Sequence, residues 1–210
     1  RRLKAGEVTY NTLIIGGNDV LGKIKETNVF EGIAQFQRDG WWDDIKDDVQ
    51  TLVDHCLLHE QIDHVLIAGY DYINRWTIQH YFSLFGQTWT FGGMSQSEVN
   101  TAWVEVGVKM VEIAVATPGC EYVHNFGLLQ HHFNTPAGAP MPGGPPTFQP
   151  WPGGNYNFSM PDASFDVISF GPLTFPGDGL HPNTEAHKVM LRNAVEQYYL
   201  DWFAEEGEGE

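Results

Sequence analysis

Residues 8–19 read VTYNTLIIGGND, and the interpretation of the whole chain begins from this stretch. An apolar run that is stopped by glycine is typical of a buried strand. In doubly wound sheets, ligands bind at the carboxyl ends of the strands, which is where Asn18 falls. Its side-chain amide can donate a hydrogen bond to a developing oxyanion, and Gly17 lets the backbone turn and a substrate approach. The alternative is a plain turn, because Gly, Asn and Asp are common turn residues.

Strand-like and helix-like patterns alternate along the rest of the chain. Helices are predicted over residues 43–60, 96–116 and 184–203, and further strands over 64–70 and 121–126. This alternation predicts an α/β fold, with a parallel sheet that carries helices on its faces. Three strands make a thin sheet for this much helix, which indicates that N-terminal strands of the sheet are missing from this chain.

A second polar motif, DGLHPN at residues 178–183, stands just before the last predicted helix. A catalytic histidine needs an acceptor that fixes its tautomer, and an aspartate three residues earlier in a tight turn can reach the ring. Asp178 is therefore the candidate partner of His181, while Asn183 or Thr184 can cap the helix that follows. The alternative is a capped helix with an incidental histidine.

Together the two motifs resemble the third and fifth sequence blocks of the SGNH (GDSL) hydrolases, G-x-N-D after a strand and D-x-x-H-P before the last helix. The chain resembles that family from about Val8 to Phe203. The resemblance implies a three-layer, flavodoxin-like fold. It also implies a cofactor-free esterase or lipase that hydrolyses a carboxylic ester through an acyl-serine. In that case His181 is the general base, Asp178 orients it, and Asn18 is an oxyanion-hole donor.

The chain departs from the family where the nucleophile should lie. The family's first block, a G-D-S that carries the serine, comes upstream of G-x-N-D, but residues 1–15 contain no serine. The glycine block of the oxyanion hole, which lies between these two, is absent as well. We therefore expect a separate polypeptide, such as a cleaved N-terminal part of the same precursor, to supply the serine strand. A truncated ordinary esterase and a non-catalytic binding or structural subunit are the alternatives.

Six serines lie elsewhere in the chain, and one of them, Ser169, has no elbow-like glycine pattern around it. They are Ser83, Ser95, Ser97, Ser159, Ser164 and Ser169. Ser95 stands with Glu98 at the spacing of a capping box, so helix capping is its expected role. None of these serines is expected to be the nucleophile.

The composition narrows the possible partners and the setting. The chain has 210 residues and a formal net charge of −16, which disfavours nucleic acid and anionic membranes as partners. No apolar run is long enough for a transmembrane helix. The expected substrate is an acetylated carbohydrate or a lipid. The acidity, the abrupt start and one possible disulfide favour a secreted protein, although Cys56 and Cys120 are equally consistent with buried free thiols.

The remaining expectations concern domain organisation and individual polar residues. We predict a single domain over residues 1–204, with an irregular Pro/Gly-rich insertion at about 135–154 and an acidic tail at 205–210. Asp71 lies just past the second strand and is a candidate substrate contact, with a loop role as the alternative.

Three histidines fall within nine residues, but their spacing matches no zinc signature. They are His124, His131 and His132. No metal site is expected there.

Overall fold

A computed structural model of the protein describes residues 10–15, 17–26, 31–35, 41–143 and 153–207. Several parts of the sequence-based interpretation lie outside those residues. They are Gly16, the beginning of the predicted first strand at residues 8–9, residues 144–152 of the Pro/Gly-rich segment, and the end of the acidic tail at 208–210.

Two compact units make up the described chain, and each combines stretches from distant parts of the sequence. The first consists of the described residues within Arg1–Tyr70, Phe91–Met94 and Thr101–His124. The second consists of those within Asp71–Thr90, Ser95–Asn100 and Asn125–Glu210. The candidate residues are divided between them. Gly17 and Asn18 belong to the first unit, and the second contains Asp71, Asp178 and His181.

Helices and short strands alternate through most of the described chain. In chain order they are β1 (Tyr10–Leu13), α1 (Gly17–Glu26), α2 (Trp41–Leu57), β2 (His64–Ala68), α3 (Arg75–Ser83), α4 (Gln96–Ala116), β3 (Cys120–Val123), α5 (Leu128–His132), β4 (Val167–Phe170), β5 (Leu173–Pro176), α6 (Thr184–Ala194) and α7 (Leu200–Gly207). A π-helical turn at Val195–Tyr199 joins α6 to α7, so the helix predicted over 184–203 is one continuous helical stretch.

The sheet of the first unit is parallel and has the strand order β1-β2-β3. Its register pairs Leu13 of β1 with Ile67 of β2, and Ile67 with Tyr122 of β3. Val65, Leu66 and Ile67 are all buried, as expected of a strand that is covered on both faces. The predicted mixed α/β class and the parallel sheet are thus confirmed, each strand differing from its prediction by a few residues.

Helices α2 and α4 lie side by side in the first unit. The Trp42 indole N–H donates to Glu105 over 2.8 Å, and the Lys46 ammonium lies 2.7 Å from Glu112. Apolar residues recur at helical spacing along α2 and form a buried face, which explains why the sequence predicted this helix. Its members are Trp42, Ile45, Val49, Val53 and Cys56.

The second unit contains an antiparallel hairpin, β4–β5, which the sequence analysis did not predict. Val167 pairs with Pro176 and Phe170 with Leu173. Both strands have four residues, and most of their side chains are exposed. A strand signal depends on alternation of buried and exposed positions, and a short hairpin that is mostly apolar and mostly exposed does not provide it.

Helix α4 begins with the predicted capping box. The Ser95 N–H donates to the Glu98 carboxylate over 2.7 Å, and the Glu98 N–H donates back to Ser95 Oγ over 3.3 Å. Because these bonds satisfy backbone donors at the start of the helix, the predicted boundaries of 96–116 and the observed ones coincide.

The two cysteines are buried free thiols, so the free-thiol alternative is confirmed and the disulfide is wrong. Cys56 Sγ accepts a hydrogen bond of 3.1 Å from the Asn11 side-chain amide, and burial raises the pKa of Cys120 to about 12. In the described part of the chain, no helix is both long and apolar enough to cross a membrane.

Candidate active site

The strongest candidate for chemistry is the tight turn that contains Asp178 and His181. His181 Nδ1 lies 2.6 Å from Asp178 Oδ2. The other carboxylate oxygen, Oδ1, accepts the backbone N–H groups of Leu180 and His181, each over 2.9 Å. One aspartate therefore closes the turn with one oxygen and orients the imidazole ring with the other.

This geometry leaves the ring available for proton transfer. With the Nδ1 proton assigned to the bond with Asp178, Nε2 is the basic nitrogen of the ring. The His181 side chain is 82% exposed, whereas that of Asp178 is 19% exposed. Within the described residues, Asp178 is the only hydrogen-bond partner of the ring. The pair therefore has the geometry of an exposed histidine whose ring is oriented by a carboxylate.

The Asp178 carboxylate is held in its ionised form. Burial acts to raise its pKa, but the N–H groups of His181 and Leu180, together with the His181 ring, outweigh burial. The pKa of Asp178 therefore lies below its ordinary value. An ionised carboxylate next to Nδ1 is the state that stabilises an imidazolium during base catalysis.

Gly179 fits the turn closely against the N-terminal end of α3. Its φ is +84°, and a Cβ placed on it would lie 2.8 Å from the Asn74 carbonyl oxygen and 2.9 Å from Ile78 Cγ1. The Asn74 N–H donates to the Gly179 carbonyl over 2.9 Å. Both the positive φ and the close approach require glycine at this position.

Two asparagines anchor the helices next to the turn. Asn183 caps α6 by accepting the Ala186 N–H over 3.0 Å, and its own N–H donates to the Ser164 carbonyl over 2.7 Å. Asn74 caps α3 by accepting the Thr77 N–H over 2.9 Å. The capping role of Asn183 is confirmed. The sequence analysis missed the part played by Asn74, because its contact with the turn crosses about a hundred residues.

Asn18 is exposed in the first turn of α1, which begins at Gly17. Gly17 itself is buried against Tyr70, and a Cβ there would lie 2.7 Å from Tyr70 Cζ. The Gly17 N–H bonds to the Tyr70 hydroxyl, whose pKa is raised mainly by burial. The small size of Gly17 is therefore needed for packing against Tyr70, while the Asn18 amide remains accessible.

Asp71 is a buried anchor. It is 2% exposed, and its Oδ1 accepts the N–H groups of Tyr72 and Gly127, each over 2.7 Å. Its Oδ2 accepts the Leu129 N–H over 2.9 Å. Through these bonds Asp71 holds the chain around Gly127 and Leu129, at the start of α5. These contacts give Asp71 a structural role, and a contact between Asp71 and substrate stays a prediction.

The three clustered histidines have separate surroundings. His124 is fully buried in the first unit, and His131 Nδ1 lies 2.9 Å from the Ala139 carbonyl in the second. His132 is exposed. Among the described residues, no group of three or more His, Cys, Asp or Glu side chains is arranged to hold a metal ion.

Comparison of the chain with known protein families, with curated proteins and with solved structures gave no match.

Proposed function

We propose that this protein is a serine esterase of the SGNH type, in which His181 is the general base and Asp178 orients it. The observation that carries the proposal is the 2.6 Å contact between His181 Nδ1 and Asp178 Oδ2. A histidine with an ordered carboxylate on one nitrogen and an exposed ring is suited to remove a proton from a nearby hydroxyl. A purely structural histidine does not need this exposure.

We propose for Asn18 the role of an oxyanion-hole donor. The family's third block stands directly after a strand, and Asn18 likewise comes after β1. Asn18 is exposed in the first turn of α1. An amide N–H directed at a tetrahedral intermediate is worth most when it is already in place before the reaction. The assignment rests on the G-x-N-D resemblance and on this accessibility.

The nucleophile is proposed to come from a strand outside these 210 residues. A flavodoxin-like sheet has the strand order 2-1-3-4-5. The observed order β1-β2-β3 matches its 3-4-5 half. In that arrangement the serine-bearing first strand pairs with β1, which is the strand that leads to Asn18. The three-layer, flavodoxin-like arrangement is part of this proposal.

A second function remains in competition, that of a non-catalytic binding or structural subunit. One observation favours it. In the described part of the chain, the His181 ring has no serine hydroxyl within hydrogen-bonding distance. Ser164, which is close in sequence to the turn, is fully buried and offers no accessible nucleophile.

A fluorophosphonate probe distinguishes the two functions. The native preparation is labelled, and the mass of every intact chain is measured under denaturing conditions. An adduct on a serine outside these 210 residues supports the esterase, and an adduct on a serine within them would show that the nucleophile has been misplaced. The absence of any adduct favours the non-catalytic subunit.

Matched histidine variants make the probe experiment specific. His181→Ala is expected to abolish labelling, because no base remains to activate the serine. His187→Ala is the control, since His187 is an exposed histidine of α6 outside the turn. Labelling that survives in His181→Ala, or that is lost equally in both variants, rules out the assigned role of His181.

A further inference from the structure

Helix α3 and the β4–β5 hairpin together expose an apolar face on the second unit. The ring of Tyr81 lies 5.9 Å from that of Phe170, and the ring of Phe85 lies at the same distance from Phe170. Leu173 pairs with Phe170 across the hairpin and shares its face. Tyr81, Phe85, Phe170 and Leu173 are called the aromatic surface below.

The aromatic surface is accessible to solvent. Phe85 is 56% exposed, and Phe170 and Leu173 are exposed as well. Trp76, in the first turn of α3, is also exposed and stacks on His80 with 4.2 Å between ring centroids. Contiguous exposed aromatic groups of this kind mark interaction sites in stable proteins.

The charge pattern indicates what this surface contacts. The chain has 27 acidic residues, but none falls between Asp71 and Glu98, and residues 167–177 carry no charge at all. Both elements of the aromatic surface come from these two stretches, which contain no carboxylate and a single Lys or Arg residue, Arg75. A basic partner would find no carboxylates here. Two copies of a chain with a net charge of −16 repel each other, and this face has no cluster of cations to offset the repulsion.

A neutral lipid surface fits the remaining chemistry. It has no net charge to repel the acidic protein, and it accepts apolar side chains. Tyr and Trp favour the boundary between lipid and water, because one end of each side chain is apolar and the other forms hydrogen bonds. Tyr81 and Trp76 both lie on α3, where Trp76 is exposed and Tyr81 is half-buried.

The aromatic surface is also connected to the Asp178–His181 turn. Phe175 of β5 stacks edge-on against Tyr81 and precedes Asp178 by three residues, a span of at most about 10 Å of chain. Helix α3, which carries Tyr81, also contacts the turn directly, because Ile78 lies against Gly179. A lipid surface in contact with Tyr81 therefore lies close to the proposed catalytic base.

We propose that the aromatic surface docks the protein on an electrically neutral lipid surface, and that the substrate is an acyl ester presented there. The choice of substrate rests on the proposed esterase function. The docking does not, because it depends only on exposed apolar groups and charge.

Vesicle flotation tests the docking without any turnover. The protein is mixed with vesicles of pure phosphatidylcholine, or with vesicles that also contain about a third phosphatidylserine. Binding to the neutral vesicles is expected, and binding to the anionic vesicles is expected to be weaker because of the net charge of −16. Phe85→Ser is expected to weaken partition into neutral vesicles by about tenfold.

The control is Phe203→Ser, because Phe203 is 54% exposed on α7, next to Asp201 and outside the aromatic surface. Leu173→Ser is a second surface variant in case Phe85→Ser does not fold. No binding of the wild-type protein to neutral vesicles overturns the proposal. So does equal binding by Phe85→Ser and Phe203→Ser, or a Phe85-dependent dimer that forms without lipid.

The two proposals fail separately in this design. His181→Ala is expected to bind vesicles like the wild-type protein, whatever its activity. Phe85→Ser is expected to keep full fluorophosphonate labelling in solution, because Phe85 is outside the catalytic turn. A wild-type protein that binds neutral vesicles but takes no label would refute the esterase alone. A wild-type protein that is labelled but does not bind neutral vesicles would refute the docking alone.

Discussion

Asp71 and Asp178 have nearly the same hydrogen-bond pattern and opposite electrostatics. In each residue Oδ1 accepts two backbone N–H groups. Oδ2 then accepts a third backbone N–H from Leu129 in one case and faces the His181 ring in the other. Burial raises the pKa of Asp71 to about 7 against the opposition of its three donors, whereas the pKa of Asp178 is lowered.

The difference shows that hydrogen bonds alone do not tell whether a carboxylate is structural or chemical. Asp71 is enclosed, so its charge is costly and its partners are all backbone groups that it holds in place. Asp178 is partly solvated, and one of its oxygens contacts the solvent-exposed ring of His181. Only the second arrangement leaves a group free to exchange a proton with a substrate.

Exchanging each aspartate for asparagine tests the comparison most strongly. Asp178→Asn is expected to lower kcat for an activated ester by roughly 10⁴-fold, because the amide holds the wrong tautomer of His181. Asp71→Asn is expected to lower stability while leaving the activity of the folded fraction near normal. Both variants are measured in the catalytically complete protein, by ester hydrolysis and by urea unfolding. An activity loss of similar size in both variants would remove the distinction.

Asn18→Ala tests the proposed role of Asn18 as an oxyanion-hole donor. The expected loss in kcat is about 10²–10³-fold, which is typical of removing one oxyanion-hole donor. Gly22→Ala on the same helix is the matched control, because a Cβ at Gly22 meets no atom within 4 Å. Near-normal activity in Asn18→Ala would show that this residue is not the donor.

Asp71→Ala measures the structural side of the comparison. It leaves three backbone N–H groups without their acceptor, so the free energy of unfolding should fall by about 3 kcal/mol. Denaturant unfolding followed by circular dichroism gives the value. His187→Ala serves as an exposed control with an expected change within about 0.5 kcal/mol. A loss below about 1 kcal/mol would mean that water or another group replaces the carboxylate.

The two carboxylates also predict opposite effects of pH on stability. Between 3.8 and about 7 the folded protein keeps a proton on Asp71 that the unfolded chain releases. The free energy of unfolding should therefore fall as pH rises through this window, by at most about 1.4 kcal/mol per pH unit. Asp71→Asn should remove this fall.

For Asp178 the sign is reversed, because its folded pKa is lowered. Its contribution is present above the ordinary aspartate pKa and is lost as pH falls through the lowered value. Asp178→Asn should therefore lose less stability than the wild-type protein below about pH 4. Unfolding measured at several pH values in both variants tests the signs, and parallel curves would contradict them.

The smallest expected effect comes from Gly22→Ala, which touches neither carboxylate. Alanine in place of a helical glycine with open space around it should raise the free energy of unfolding by roughly 0.5–1 kcal/mol. The same unfolding experiment measures it. A destabilisation would show that α1 tolerates substitution less well than its open surroundings indicate, and would disqualify this variant as the control for Asn18→Ala.

Local patterns predicted much of this fold, because their physical causes are local. Helix α4 has a capping box and a long apolar periodicity, so its boundaries agreed with the sequence. The β4–β5 hairpin and α3 were missed, since both are short and their apolar residues follow no clear period. The state of Cys56 and Cys120 also required the structure, because pairing depends on where two distant segments meet.

The sequence by itself determined the Asp178–His181 pair, because a contact between residues three apart depends only on a tight turn. It also determined the parallel α/β class, through alternating periodicity. Only the tertiary structure decided the state of Asp71, because two of its three backbone donors lie 56 and 58 residues away. Burial is a collective property of distant segments, and burial sets the pKa of a carboxylate. The sequence can therefore place an aspartate at a site, while its surroundings determine whether it anchors the fold or serves the reaction.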